Sequence, residues 1–188
     1  NIRMLVMSRK FGQPAATMAG IGACCGRVCV LIDVDLQDPP ELIIELYKKL
    51  NQGYEVVYAT RRSRKGEARI KKVISSIGYK IINRLSEVDI PPDTGDFRII
   101  SRKVINELVQ LNDLHGFLRG LVAYVGFKQT FIEYDRDRRY RGIGHYNSLT
   151  GSLKIGLNGL FGFTSKPLKY SLFLGFTMAV ISFVLGGW

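Results

Sequence analysis

Apolar and polar positions alternate between two rhythms along the first sixty residues. Residues 2–7 and 28–32 are short apolar runs, and 54–59 repeats the pattern after the stop signal Gly53. Each predicts a buried β-strand. Between them, residues 13–25 are rich in Ala and Gly and predict a small-residue helix packed closely on a sheet. Over 39–50, Leu42, Ile43, Leu46 and Leu50 fall on one helical face. Strand, helix, strand, helix, strand predicts βαβ units. The fold class is therefore α/β, with a mostly parallel sheet and ligands at the carboxyl ends of its strands.

The pattern then changes. Ile70, Val73, Ile74, Ile77, Ile81 and Leu85 form one helical stripe flanked by Lys72, Lys80 and Arg84. It reads first as a core-packing helix, with a helix on a membrane surface as the alternative. Residues 94–101 are expected to be extended, 103–111 and 114–124 helical, and 127–134 a strand. Residues 135–147 form a basic, glycine-containing loop too polar for a core. The apolar, Gly-rich stretch 149–163 suits an interfacial helix leading onward. From Tyr170 to Trp188 no residue is charged, which is long enough to cross a bilayer, and Lys166 and Lys169 at its leading edge mark the cytoplasmic side. Three segments follow: a basic domain over 1–147, a juxtamembrane segment over 148–165 and a transmembrane helix over 166–188. The strand-like opening carries no signal-peptide pattern.

Composition sharpens this picture in one respect. Among 188 residues, 27 Lys and Arg against 16 Asp and Glu give a formal net charge of +11, which calls for an anionic partner. Cys24, Cys25 and Cys29 have neither metal-type spacing nor a nearby histidine, and Cys24 and Cys25, at the end of a run of small residues, read as small packing groups.

The chemistry is concentrated in Asp33-Val34-Asp35-Leu36-Gln37-Asp38-Pro39-Pro40-Glu41, where a predicted strand meets a helix. Residues i and i+2 of an extended segment point the same way, so Asp33 and Asp35 can face one site. Paired carboxylates suit a hard divalent cation, and such a cation suits a diphosphate. Asp38, followed by prolines and by Glu41 three residues on, reads as a helix N-cap. That leaves Asp33, Asp35 and Gln37 for chemistry.

Four motifs in order make the chain resemble family 2 glycosyltransferases of the polyprenyl-phosphate (dolichol-phosphate-type) group, bactoprenol glucosyl transferase-like. The first is residues 33–41. The second is Gly53-Tyr54-Glu55-Val56-Val57-Tyr58, continuing to Arg61-Arg62. The third is Asp93-Thr94-Gly95-Asp96-Phe97-Arg98, followed by Ser101-Arg102. The fourth is Tyr134-Asp135-Arg136 through Arg139, Gly142 and Tyr146, preceded by Phe117-Leu118-Arg119-Gly120. The resemblance implies a GT-A fold followed by a membrane-interface helix and a transmembrane helix. It departs from the group at Gly144-His145-Tyr146, where relatives carry Ser-Lys-Tyr. The group also opens with a nucleotide-binding strand and turns that have no counterpart after Asn1, and relatives often carry a second span. The expectation is a fragment of a longer enzyme, inactive alone.

The implied reaction moves a sugar, glucose-type favoured, from a nucleotide diphosphate sugar to polyprenyl phosphate. UDP is favoured over GDP, and inversion is implied. Asp33, Asp35 and Gln37 would hold Mg²⁺ or Mn²⁺ against the diphosphate, and Asp35 and Asp96 would be the catalytic carboxylates. Asp96 stands where related enzymes place a base. A phosphate acceptor carries roughly −1.5 to −2 charge near pH 7 and hardly needs one, so Asp96 is expected to orient as much as to take a proton. Asp93 after Pro91-Pro92 reads as turn chemistry. Arg98, Arg136 and Arg139 are candidates to grip the acceptor phosphate with paired hydrogen bonds. Arg61, Arg62, His145 and Tyr146 are candidate membrane or substrate contacts, on an anionic cytosolic leaflet. A homo-oligomer is compatible with all of this; nucleic acid is not expected as a partner. Two alternatives stand beside it: a non-catalytic, membrane-anchored basic module, and a processive family 2 polysaccharide synthase. The module would need aromatic residues interleaved with basic ones. The synthase would need a Gln-x-x-Arg-Trp segment, and the only tryptophan is Trp188.

Overall fold

A computed structural model describes residues 2–62, 94–111, 118–135, 162 and 164–186. The stripe at 70–85, the turn at Asp93, Arg136, Arg139, His145, Tyr146 and most of the 148–165 segment lie outside the described residues.

The elements run α1 (Gln13–Gly22), β1 (Val28–Leu31), α2 (Leu42–Leu50), β2 (Val56–Arg61), β3 (Thr94–Ser101), α3 (Arg102–Gln110), α4 (Leu118–Tyr124), β4 (Gln129–Tyr134) and α5 (Lys166–Gly186). The strands form one sheet in the order β1-β3-β2-β4. β2 and β4 pair in parallel, whereas β3 pairs antiparallel with both β1 and β2. The sheet is therefore mixed, which corrects the expectation of a mostly parallel one. A strand's direction is set by the route the chain takes into it. That route is a property of the connection, and the apolar pattern of residues 94–101 does not carry it.

Burial follows the pleat. Along β3, Phe97 and Ile99 face one side with Val57, Ala59, Leu42 and Leu46, while Ile100 faces the other with Tyr58, Val104 and Leu121. α2 contributes Leu42, Leu46 and Leu50 at fourfold spacing, all buried. α3 buries Val104, Ile105 and Leu108 beneath the opposite face. β3 is an inner strand covered on both faces, and residues 97–100 are almost wholly buried.

Two local expectations need correcting. Residues 2–7 join no strand of the sheet, and Ile2, Met4 and Val6 are exposed. An apolar run becomes a strand only where a neighbour completes its ladder of hydrogen bonds. α2 begins at Leu42 after a tight turn closed by the Leu42 and Ile43 amides on the Pro39 and Pro40 carbonyls, at 3.2 and 3.0 Å. Its N-cap position is Glu41, so Asp38 does not occupy it. Asp38 is instead buried, and the Tyr134 hydroxyl donates to it.

The cysteines are free thiols. Burial, with Cys24 alongside, pushes the Cys29 thiol up to about 12. Cys24 and Cys29 pack against the core, whereas Cys25, expected to pack alongside Cys24, is exposed.

α5 is long and apolar enough to cross a membrane over Leu168–Gly186, and none of its apolar window is buried against the rest of the chain.

Candidate active site

The topology brings described parts of the four motifs to one end of the sheet. β1, β2 and β4 point the same way, so residues after Leu31, after Ala59 and at Tyr134 share an edge with the beginning of the oppositely running β3. Leu31, the last residue of β1, pairs with Arg98, so the chain leaves β1 for the Asp33 turn beside the first half of β3. At this edge β2 and β3 slip register between Tyr58 and Thr60. Irregularities of this kind end pairing and re-aim side chains beside functional sites.

The first motif leaves β1 as a turn. Leu36 has φ 57°, a left-handed conformation that branched side chains avoid. The Gln37 amide donates to Asp35 Oδ1 at 3.2 Å, the short loop-closing bond that aspartate makes two residues on. The segment is therefore not a continued strand, contrary to the reasoning that placed Asp33 and Asp35 on one face. Asp33, Asp35 and Gln37 are half-buried, while Val34 and Leu36 project outward at 97% and 68% exposure. Gln13, in the first turn of α1, donates its side-chain amide to Asp33 Oδ1 at 3.3 Å. Among the described residues, no three or more His, Cys, Asp or Glu side chains converge on a point. Two hard carboxylates alone suit a divalent ion that completes its shell from substrate phosphate and water.

The third motif supplies a second centre on the α3/α4 face. Arg98 is fully buried. Its guanidinium carbon lies 5.0 Å from the centroid of the Tyr58 ring. Its Nη2 donates to Asp96 Oδ1 at 3.2 Å and to the Gly95 carbonyl at 3.2 Å. Arg119, from α4, donates its Nε to the same Asp96 oxygen at 3.1 Å. Asp96 thus sits between two guanidiniums while its side chain keeps 38% exposure. Tyr58 donates onward to Gln129 Oε1 at 2.7 Å, which fixes the ring beneath Arg98. Arg98, expected to meet an acceptor phosphate, meets Asp96.

Burial pushes the Asp96 carboxyl up, but Arg119 and Arg98, with Arg61 behind them, outweigh it and hold it below the usual carboxylate range. The sign follows directly. A depressed folded value gives stability that is fully present above the unfolded pKa, about 3.9, and is lost as pH falls through the folded value. Wild type and Asp96→Asn, compared by thermal denaturation across pH, should therefore differ by a constant amount from neutrality down to about pH 4. The gap should close only below that. A gap already closing at pH 6 would contradict the ion-paired carboxylate.

Of the remaining predicted residues, Arg61 and Arg62 are described. Arg61 is half-buried at the end of β2. Arg62 is exposed and lies 3.8 Å from Glu133 and 3.5 Å from Asp135, pairs worth little in water. Gln13, Tyr58 and Arg119 had no assigned role in the sequence reading. For Arg119 a signal was present: an arginine inside the apolar run 118–122 demands a buried counter-charge.

The mixed α/β sheet, with a two-carboxylate turn after its first strand, is that of a GT-A-like glycosyltransferase fold. Residues 1–109 match the model of Glycosyl transferase family 2. The chain belongs to that family, as the four motifs indicated. It is 44% identical over 183 residues to the Bacillus subtilis protein YkcC, described as an uncharacterized glycosyltransferase, covering 97% of this chain and 56% of the relative. It is 34% identical over 184 residues to the bactoprenol glucosyl transferase of Shigella phage SfX, covering 98% of this chain and 60% of that protein. The chain thus spans a little over half the length of these relatives. Among solved structures, glucosyl-3-phosphoglycerate synthase from Mycobacterium tuberculosis superposes with a TM-score of 0.51 at 20% identity, over 82% of this chain and 56% of that one. This likeness concerns the fold.

Proposed function

We propose that the full-length protein is a membrane-bound glycosyltransferase. It moves a hexose, glucose by preference, from a UDP-sugar to the phosphate of a membrane polyprenol. The observation that carries the lipid acceptor is α5, an apolar helix unburied by its own chain that follows the domain holding the carboxylates. The phage relative's name points to the same acceptor class. Lys166 and Lys169 at the start of α5 support a domain on the cytosolic side.

In this reading Asp33 and Asp35 hold Mg²⁺ or Mn²⁺, which when bound offsets the charge that develops on the departing diphosphate. Asp35 also keeps the turn closed through the Gln37 amide, and Gln13 steadies Asp33. An acceptor phosphate oxygen forms the new bond to the anomeric carbon as the bond to the nucleoside diphosphate breaks, and the diphosphate leaves with the electron pair. This in-line displacement inverts the anomeric centre. The acceptor is already an anion, so Asp96 has no proton to remove. Held ionised by Arg98 and Arg119, it orients the sugar and keeps the two guanidiniums aligned. Arg136 and Arg139, with His145, Tyr146 and Arg61, are the residues we assign to the acceptor phosphate and the membrane surface.

The test is transfer by the full-length protein in vesicles that contain undecaprenyl phosphate, with a panel of radiolabelled nucleotide sugars. Labelled, solvent-extractable lipid is expected with UDP-glucose. No labelled lipid with any donor would sink the proposal.

A further inference from the structure

Tyr134 touches all four motifs. Its hydroxyl donates to Oδ1 of Asp38 in the first, 96 residues away in sequence. Its carbonyl accepts the Arg62 amide of the second at 2.9 Å. Its ring meets the ring of Phe97 in the third, edge to face, with centroids 6.2 Å apart at 89°. It opens the fourth motif itself, as the last residue of β4, in register with Arg61 of β2. Both Tyr134 and Asp38 are buried, so this polar tie is made away from competing water.

The tie has a mechanical consequence. Residues 32–41 leave β1 through a left-handed Leu36 and reach α2 only at Leu42, with no strand or helix between. A loop of that kind is placed by its anchors. Gln13 holds the Asp33 end, and Tyr134 holds Asp38 at the other. Asp35 lies between the two.

We propose that Tyr134 is a positioning residue: through its hydroxyl on Asp38 it fixes where the Asp33/Asp35 turn stands relative to the sheet edge that carries Asp96. The inference rests on the metal reading of Asp33 and Asp35 given above. A purely structural tyrosine would stabilise the domain and leave the turn's affinity for cations unchanged. A positioning tyrosine couples the two.

Mn²⁺ binding to the full-length protein with UDP present, followed through the electron paramagnetic resonance signal of the free ion against Mn²⁺ and UDP alone, separates these cases without relying on turnover. Tyr134→Phe keeps the ring on Phe97 and removes only the hydroxyl, so its thermal denaturation should stay cooperative. Its Mn²⁺ affinity should fall by about 10-fold, the lower end of what outer supports of metal ligands contribute. Phe97→Leu loosens the packing on the same ring but leaves the hydroxyl in place. It should lower the Tm with no matching loss of Mn²⁺ affinity. The proposal is overturned if Tyr134→Phe binds Mn²⁺ as wild type does, or if Phe97→Leu weakens binding as much. Wild-type protein that binds no Mn²⁺ would overturn the metal reading itself, a different outcome from equal binding by wild type and variant.

Discussion

Asp96→Asn in the full-length protein should slow transfer by roughly 100- to 1000-fold, the usual effect of removing one preorganised electrostatic group. It should also destabilise the fold by about 3 kcal/mol, the low end of the range for breaking a buried ion pair. The lower figure applies because Asp96 keeps 38% side-chain exposure while Arg98 has none. The amide can still accept a hydrogen bond from Arg98 or Arg119. It cannot neutralise a guanidinium that has no route to water. A second substitution separates the two losses. Arg98→Met placed on Asp96→Asn removes the stranded charge and substitutes an apolar side chain against Tyr58. Stability should return to within about 1 kcal/mol of wild type, since buried pairs are often replaced by apolar groups at little cost. Transfer should not return. A double variant that recovers activity, or a single variant within tenfold of wild type, would remove Asp96 from the reaction centre.

Asp35→Asn is the complementary case, with a large effect on rate and almost none on folding. The Asp35 oxygen that accepts the Gln37 amide has an equivalent in asparagine, so the turn and the left-handed Leu36 are retained. Only the charge goes. Metal neutralisation of a leaving diphosphate contributes several kcal/mol, and each 1.36 kcal/mol is tenfold in rate, so a loss of about 100-fold or more is expected. Stability should stay within about 0.5 kcal/mol. Asp35→Ala loses the turn bond as well and should be measurably less stable than Asp35→Asn. Activity of Asp35→Asn near the wild-type level, measured as labelled polyprenyl-phosphate sugar, would refute the metal role. These two substitutions therefore fail in opposite ways: one through a buried partner, the other through an absent charge.

The sequence made some of this legible and hid the rest for identifiable reasons. β1, α2, β2, β3 and α3 stand close to where apolar periodicity predicts them, because each presents a continuous face to one core. Asp33 and Asp35 stood out by residue type and spacing, but the turn that Asp35 closes on the Gln37 amide was not visible in the extended reading of the segment. The antiparallel course of β3 was not recognisable, since residues 94–101 read the same in either direction. Asp38 followed every local rule for a helix cap, yet its hydroxyl donor lies on a strand 96 residues later. Capping rules see only neighbours. Arg98 looked like a free cation, although Phe97, Ile99 and Ile100 around it announced a central strand that would bury it. Gln13 was invisible because nothing in a helix's first residue announces a carboxylate across a loop.

The ring under Arg98 decides how this site fails under stress. Tyr58 belongs to the same apolar cluster as Ile100, Val104 and Leu121, between the sheet and two helices. The clamp on Asp96 accordingly has no low-lying opening of its own, unlike a lid or a surface loop, which can fray while the rest of a domain holds. It releases only when that layer comes apart. Heated gradually, the protein would keep its clamp intact up to the cooperative transition and lose it there, in one event with the fold.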